Sequence, residues 1–244
     1  MKRTLFITGT DTGVGKTVLT ALLARFLRGR GINAAALKPV CSGNRADARK
    51  ILAALDGALT LNEVNPWHFR APIAPSLAAR LEKKPVKLAQ VLEHIRATRK
   101  KFAVLLVEGA GGLLSPLGVC SGGLRPSPSS ALTERRYKEN FDSRDLILAL
   151  RATPIIVAPN KLGAVNHLLL TLESLPKNLR ARAKVVLMSP PKSDAATASN
   201  AKLLAQFVSP EKIIALPWLG KKFTTERVLK KAAVRRRLHA LAKT

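Results

Sequence analysis

Near the start of the chain, Gly9, Thr10, Asp11, Thr12, Gly13, Val14, Gly15, Lys16 and Thr17 form a run with the residue types needed to hold a polyphosphate. Glycines let backbone N–H groups face phosphate oxygens, a lysine neutralises their charge, and a threonine hydroxyl can ligate a divalent cation. An apolar run precedes the loop and a helical pattern follows it, so the dipole of the helix N-terminus points at the same place. A plain glycine turn capping a helix has no need of the Gly-Lys-Thr ending. Five residues separate Gly9 from Gly15, one more than the usual phosphate loop has. The loop is therefore a variant, with Thr10, Asp11 and Thr12 adding polar side chains.

Other candidates fall where later strands should end. "LKPVCSG" supplies Lys38 and Ser42, with Asp47 shortly after, and "VEGAGG" supplies Glu108, Gly109, Ala110 and Gly111. Acids at strand ends can hold Mg²⁺ directly or through water. Taken singly, Lys38 reads equally as a surface lysine, Asp47 as a helix N-terminal charge and Glu108 as an ordinary strand-end acid. A common sheet edge would bring them together, because open α/β sheets bind ligands at the carboxyl ends of their strands.

The elements that must position these residues alternate. Apolar runs predict strands over 4–8, 32–37, 102–107, 154–158, 184–188 and 212–216. Leu19, Leu22, Leu23 and Phe26 recur at helical spacing up to a stop near Gly29 and Gly31. Further helical patterns cover 46–55, 75–81, 88–98, 163–175 and 195–208. Such alternation predicts one α/β domain spanning 1–244, with a mostly parallel central sheet and helices on both faces. Residues 119–140, rich in Gly, Pro, Ser and charge, break the pattern and read as an inserted flexible loop.

Composition narrows the class. A chain of 244 residues with 47% hydrophobic content can bury a core without disulfides. Cys41 and Cys120 cannot form a disulfide framework or a cysteine-rich metal site. The apolar runs are too short for a membrane span, and the one behind Lys2 and Arg3 is too short for a signal peptide. A reducing cytoplasm and no membrane partner are expected. The 42 Lys and Arg against 15 Asp and Glu give a net charge of +27, a balance often seen in nucleic-acid binders. The C-terminal stretch 221–244 holds nine of those bases, but Val234, Leu238 and Leu241 form an apolar stripe that leaves Arg235, Arg236 and Arg237 largely off it. A packing helix with a solvated basic face is expected, not a nucleic-acid arm. Aromatics make up only 4% of the chain and are not interleaved with the basic stretches.

In order, "GTDTGVGKT", "KPVCSG", "VNPWHF", "VEGAGG", "KLGAVNH" and "LPWL" give a chain that resembles dethiobiotin synthetase over nearly its whole length. The resemblance implies a P-loop NTPase fold and a homodimeric ligase of biotin synthesis. Such an enzyme closes a ureido ring on 7,8-diaminononanoate with CO2 and ATP. It implies Lys16, Lys38 and Thr12 around the carbamate and the transferring phosphoryl group, with Ser42 on the substrate. Thr17, Asp47 and Glu108 would hold Mg²⁺. Gly13, Val14, Gly15 and Val18 would join Lys16, Thr17 and residues 108–111 around the nucleotide, with Pro217, Trp218 and Leu219 near its base. Asn166 would meet the substrate carboxylate across the dimer. Relatives often carry an Asn after the strand at 184–188 to read adenine; here Met188 and Ser189 stand there, which opens the choice of nucleotide.

Two other classes share the loop. A ParA/MinD-type ATPase switch could use a basic surface on DNA, but its loop usually carries a lysine near the start, where this chain has Gly9, Thr10 and Asp11. Cobyrinate-type amide synthetases normally add a glutaminase domain, for which the chain is too short. A related ligase with a changed substrate is a third alternative.

Overall fold

The computed structural model describes residues 2–119, 140–221 and 223–243. In chain order the strands are β1 (Arg3–Gly9), β2 (Ala34–Leu37), β3 (Val40–Ser42), β4 (Trp67–Phe69), β5 (Val104–Glu108), β6 (Gly118–Val119), β7 (Asn140–Phe141), β8 (Thr153–Pro159), β9 (Lys184–Met188) and β10 (Ile213–Leu216). The helices are α1 (Lys16–Arg28), α2 (Ala46–Ala53), α3 (Leu61–Val64), α4 (Pro75–Leu81), α5 (Leu88–Arg99), α6 (Ser143–Leu150), α7 (Ala164–Glu173), α8 (Lys177–Arg180), α9 (Ala195–Leu204), α10 (Thr225–Leu229) and α11 (Ala232–Ala242).

Six strands form one sheet in the order β10-β9-β8-β1-β5-β2, and every pairing in it is parallel. Parallel strands need crossover connections, which place helices over both faces. Accordingly all of β5 is buried, as is β1 from Thr4 to Gly9. α1 packs against α2, α10 and α11, while α5 packs on α6 and α7 on α9. In α11, Val234, Leu238 and Leu241 are buried and Arg235 and Arg236 exposed, as the apolar stripe predicts.

The expected strand at 32–37 begins two residues late. Ile32 N–H donates to Leu27 O and closes the end of α1 behind Gly31. The expected strand at 102–107 also starts late, because Ala103 N–H turns to Asn33 O. Two small sheets have no counterpart in the sequence reading. β3 pairs in parallel with β4, and β6 pairs antiparallel with β7. Each strand in them is two or three residues long, too short to show periodicity. The β6–β7 pair brings together the two ends of the expected insertion at 119–140; residues 120–139, Cys120 among them, lie outside the described residues.

Candidate functional site

β1 stands between β5 and β8 in the sheet although it is first in sequence, so the chain reverses its winding direction there. The crevice this creates opens at the carboxyl ends of the strands, and Gly9 to Gly15 cross it before α1. Gly15 sits at φ 99° ahead of α1, a left-handed conformation that a side chain disfavours. Any Cβ there would also stand 3.1 Å from the Met188 terminal methyl. Lys16 reaches back to donate to Asp11 O at 2.7 Å, and the Asp11 carboxylate accepts from Thr12 N–H at 2.6 Å.

A cavity of about 650 Å³ lies over this loop. Thr12, Gly13, Gly15, Lys16, Thr17 and Val18 line one side, Lys38, Ser42 and Asp47 another, and Ala110 and Gly111 a third. Glu108 lies under the wall, 1% exposed, with Lys38 at 4%. The Lys38 ammonium meets the Glu108 carboxylate at 2.6 Å and the Asp47 carboxylate at 2.9 Å. Thr17 Oγ1 donates to the same Glu108 oxygen at 2.7 Å, while Glu108 Oε2 is buried with no partner. Gly109 has no room for a side chain: a Cβ would lie 2.4 Å from Ser143 Oγ. That close approach lets α6 brace the turn carrying Glu108.

The charges set one another. Burial lowers the Lys16 pKa to about 8, and the neighbouring Lys38 charge adds to the effect. Burial alone would lower Lys38 too, but the charges of Glu108 and Asp47, with hydrogen bonds to both, outweigh it and raise its pKa. Burial works to raise Asp47, and the Lys38 charge and hydrogen bond overcome it and hold that carboxyl below its ordinary value. Lys38 is thus a fixed cation rather than a base. Lys16 is the softer of the two and gains most from an arriving anion.

Thr12, Lys16, Thr17, Lys38, Ser42, Asp47 and Glu108 therefore converge. Val14 is buried beneath the loop. Asn166 is exposed on α7, and Pro217, Trp218 and Leu219 follow β10; all four lie away from this cavity. Trp218 is 42% exposed. The sheet order puts β9 and β10 on one side of the phosphate loop and β5 and β2 on the other. The cavity also takes in Cys41, Lys50 and the 72–75 segment, which the sequence reading passed over. Lys50 was recoverable, since it stands three residues after Asp47 on a helix and so on the same face.

Residues 3–120 match the family model described as "AAA domain". The chain is similar to the ATP-dependent dethiobiotin synthetase BioD of Anaeromyxobacter dehalogenans strain 2CP-1, at 39% identity over 221 residues, covering 88% of this chain and 90% of that one. It is 32% identical over 173 residues to the protein of the same name from Methanococcus vannielii, covering 71% and 72% of the two chains. The chain belongs to the ATP-dependent dethiobiotin synthetase family. Among solved structures it is similar to pNOB8 ParA bound to nonspecific DNA, with a TM-score of 0.56 at 14% identity, covering 100% of this chain and 98% of that one. That likeness is one of fold. As a member of the dethiobiotin synthetase family, the chain is an ATP-dependent ligase.

Proposed function

We propose that the chain closes the ureido ring of dethiobiotin, using 7,8-diaminononanoate, CO2 and ATP and releasing ADP and phosphate. The observation that carries this reading is the buried Lys38 ammonium, fixed by Asp47 and Glu108 on the wall of the phosphate-loop cavity. Every step of the reaction gathers negative charge. One substrate amine attacks CO2 and loses a proton, giving a carbamate. A carbamate oxygen then attacks the γ-phosphorus, and the bond to the β-phosphate oxygen breaks as ADP leaves. The neighbouring amine attacks the carbamoyl carbon, expels phosphate and loses its proton as the ring closes. Such a sequence calls for preorganised cations and dipoles more than for acid–base groups.

Lys16 and Lys38 flank the carbamate and the phosphoryl group in transfer. Thr12 hydrogen-bonds beside the carbamate, and Ser42 contacts the diamine. The donor set suits Mg²⁺: the Thr17 hydroxyl, Asp47 and Glu108 offer oxygen ligands, and Glu108 Oε2 is buried with no partner. Bound there, Mg²⁺ would offset charge on the β- and γ-phosphates.

The nucleotide base lies towards Met188 and residues 217–219. Two copies form a homodimer in which Asn166 meets the substrate carboxylate at the N-terminus of α7. The enzyme works in the cytoplasm without nucleic acid. Among the described residues no helix is long and apolar enough to cross a membrane.

The test is incorporation of labelled bicarbonate into an acid-stable cyclic urea from diaminononanoate, with ATP, GTP and CTP in parallel. Label in the urea is the expected result. No label with any nucleotide, despite Mg²⁺-dependent nucleotide binding, would favour a changed substrate or a DNA-linked switch.

A further inference from the structure

Asn65, between the end of α3 and Pro66, is 0% exposed. A buried amide must have its hydrogen bonds made within the protein, and those of Asn65 converge on the site. Its Nδ2 donates to Lys38 O at 2.8 Å, to Pro39 O at 3.3 Å and to Trp67 O at 3.4 Å. Its Oδ1 accepts from Arg45 Nε at 3.1 Å, and its backbone carbonyl accepts from Arg45 Nη2 at 2.7 Å. Lys38 N–H in turn donates to Val64 O at 2.9 Å.

Two of its partners, Lys38 and Arg45, lead to the two segments that carry Lys38 and Asp47. Lys38 leaves β2 with nothing regular after it until β3. Arg45 is the N-cap residue of α2, so its position fixes the first turn, where Asp47 stands. Arg45 also grips the 61–62 segment, donating to Leu61 O and to the Asn62 side chain at 3.2 Å. One amide therefore joins the backbone of the cation to the helix start of its carboxylate partner. With the Lys38 N–H bond to Val64 O, that joint holds the two segments whose side chains meet in the Lys38–Asp47 contact of 2.9 Å.

We propose that Asn65 is a positioning residue for ring closure, acting through Lys38, with Arg45 as its link to α2. The proposal rests on the dethiobiotin-forming reading of the cavity. The Asn65 amide meets both demands: aspartate accepts from Arg45 but cannot donate to the Lys38 and Pro39 carbonyls, and leucine does neither. Displacing a catalytic group by an ångström can cost on the order of 10²-fold in rate. ATP binding, which depends on the phosphate loop, should be spared.

The experiment compares N65D and R45M, each alone and combined with K38Q, in the full chain. It measures kcat by labelled bicarbonate and nucleotide affinity by direct titration. N65D is expected to lower kcat about 10²-fold and R45M about tenfold, with ATP affinity held within about threefold. In the K38Q background N65D should cost less than about threefold more, because both changes act on one group. Three results would overturn the proposal: near-normal kcat in both variants, ATP affinity falling in step with kcat, or an undiminished N65D effect without Lys38. If N65D does not fold, the partly buried Arg45 decides through R45M and its double variant. A wild-type enzyme that makes no urea overturns the functional reading and this inference with it; an active wild type with an active N65D overturns this inference alone.

Discussion

Lys38 is deeply buried, which alone would lower its pKa, yet Glu108 and Asp47 at its ammonium outweigh that and raise it. Its charge is therefore present across the physiological range and aimed at the cavity. Replacing it by Gln removes the charge proposed to stabilise the reacting phosphoryl group. K38Q is expected to lower turnover about 10²- to 10³-fold while nucleotide affinity changes little, as single-turnover label incorporation and titration calorimetry would show. Lys38, Asp47, Glu108 and Thr17 were legible in the sequence because each ends a strand or opens a helix. Asn65 stood in the VNPWHF stretch without a role, because its partners lie 20 and 27 residues away. Met188 was legible as a departure from the resemblance, and the structure sets its side chain where a Cβ on Gly15 would meet it, so an apolar thioether stands beside the phosphate loop. Apolar contact discriminates weakly between ligands, so kcat/KM for ATP, GTP and CTP should agree within about 10²-fold. A larger preference for any one would show that another polar group reads the base.

The elements differ in how openly the sequence declares them. The β1–loop–α1 unit and β5 stand out by apolar run and glycine spacing, whereas β3 and β4 become strands only because Pro39 and Asn65 bring them together. α6 escaped a defined prediction because it follows directly on the polar run 119–140. Yet its cap is written in Asp142 and Asp145: Asp142 accepts from Arg144 N–H and Asp145 N–H, and Asp145 accepts from Asp142 N–H. The cap has a pH cost. Burial, then the Asp145 charge, pushes Asp142 up to about 7, while the unfolded chain keeps the ordinary value of about 4. Between those values the unfolded state loses its proton first, so stability falls as pH rises from about 4 to about 7 and then levels. Asp142→Asn keeps the accepting oxygen and removes the charge. Urea unfolding across that range should show the variant gaining on the parent as pH rises. A difference independent of pH would mean that Asp142 is charged in the fold throughout.

For the whole molecule the open questions are the +27 charge and the exposed α7 face. Leu162, in the turn before α7, is 84% exposed, and Leu170 is 60% exposed. Asn166 is exposed one helical turn before Leu170, on the same face. Leucines this exposed on either side of the expected carboxylate ligand are what a copy-to-copy contact would cover. The charge then sets a sign that separates association from nucleic-acid binding. Two chains of +27 repel, so salt should strengthen a dimer held by apolar contact. Binding to a polyanion weakens with salt through loss of counterion release. Sedimentation is expected to show the dimer fraction rising between about 0.05 and 0.2 M salt. Leu170→Asp should give a monomer at concentrations where the parent is dimeric. It should raise KM for diaminononanoate about tenfold or more with little change in ATP affinity, because the distant carboxylate would lose the partner proposed for it while the phosphate loop is untouched. A monomeric variant with unchanged KM would keep the interface and remove Asn166 from the site. A parent that is monomeric at every salt concentration would leave the exposed leucines without the partner argued for them.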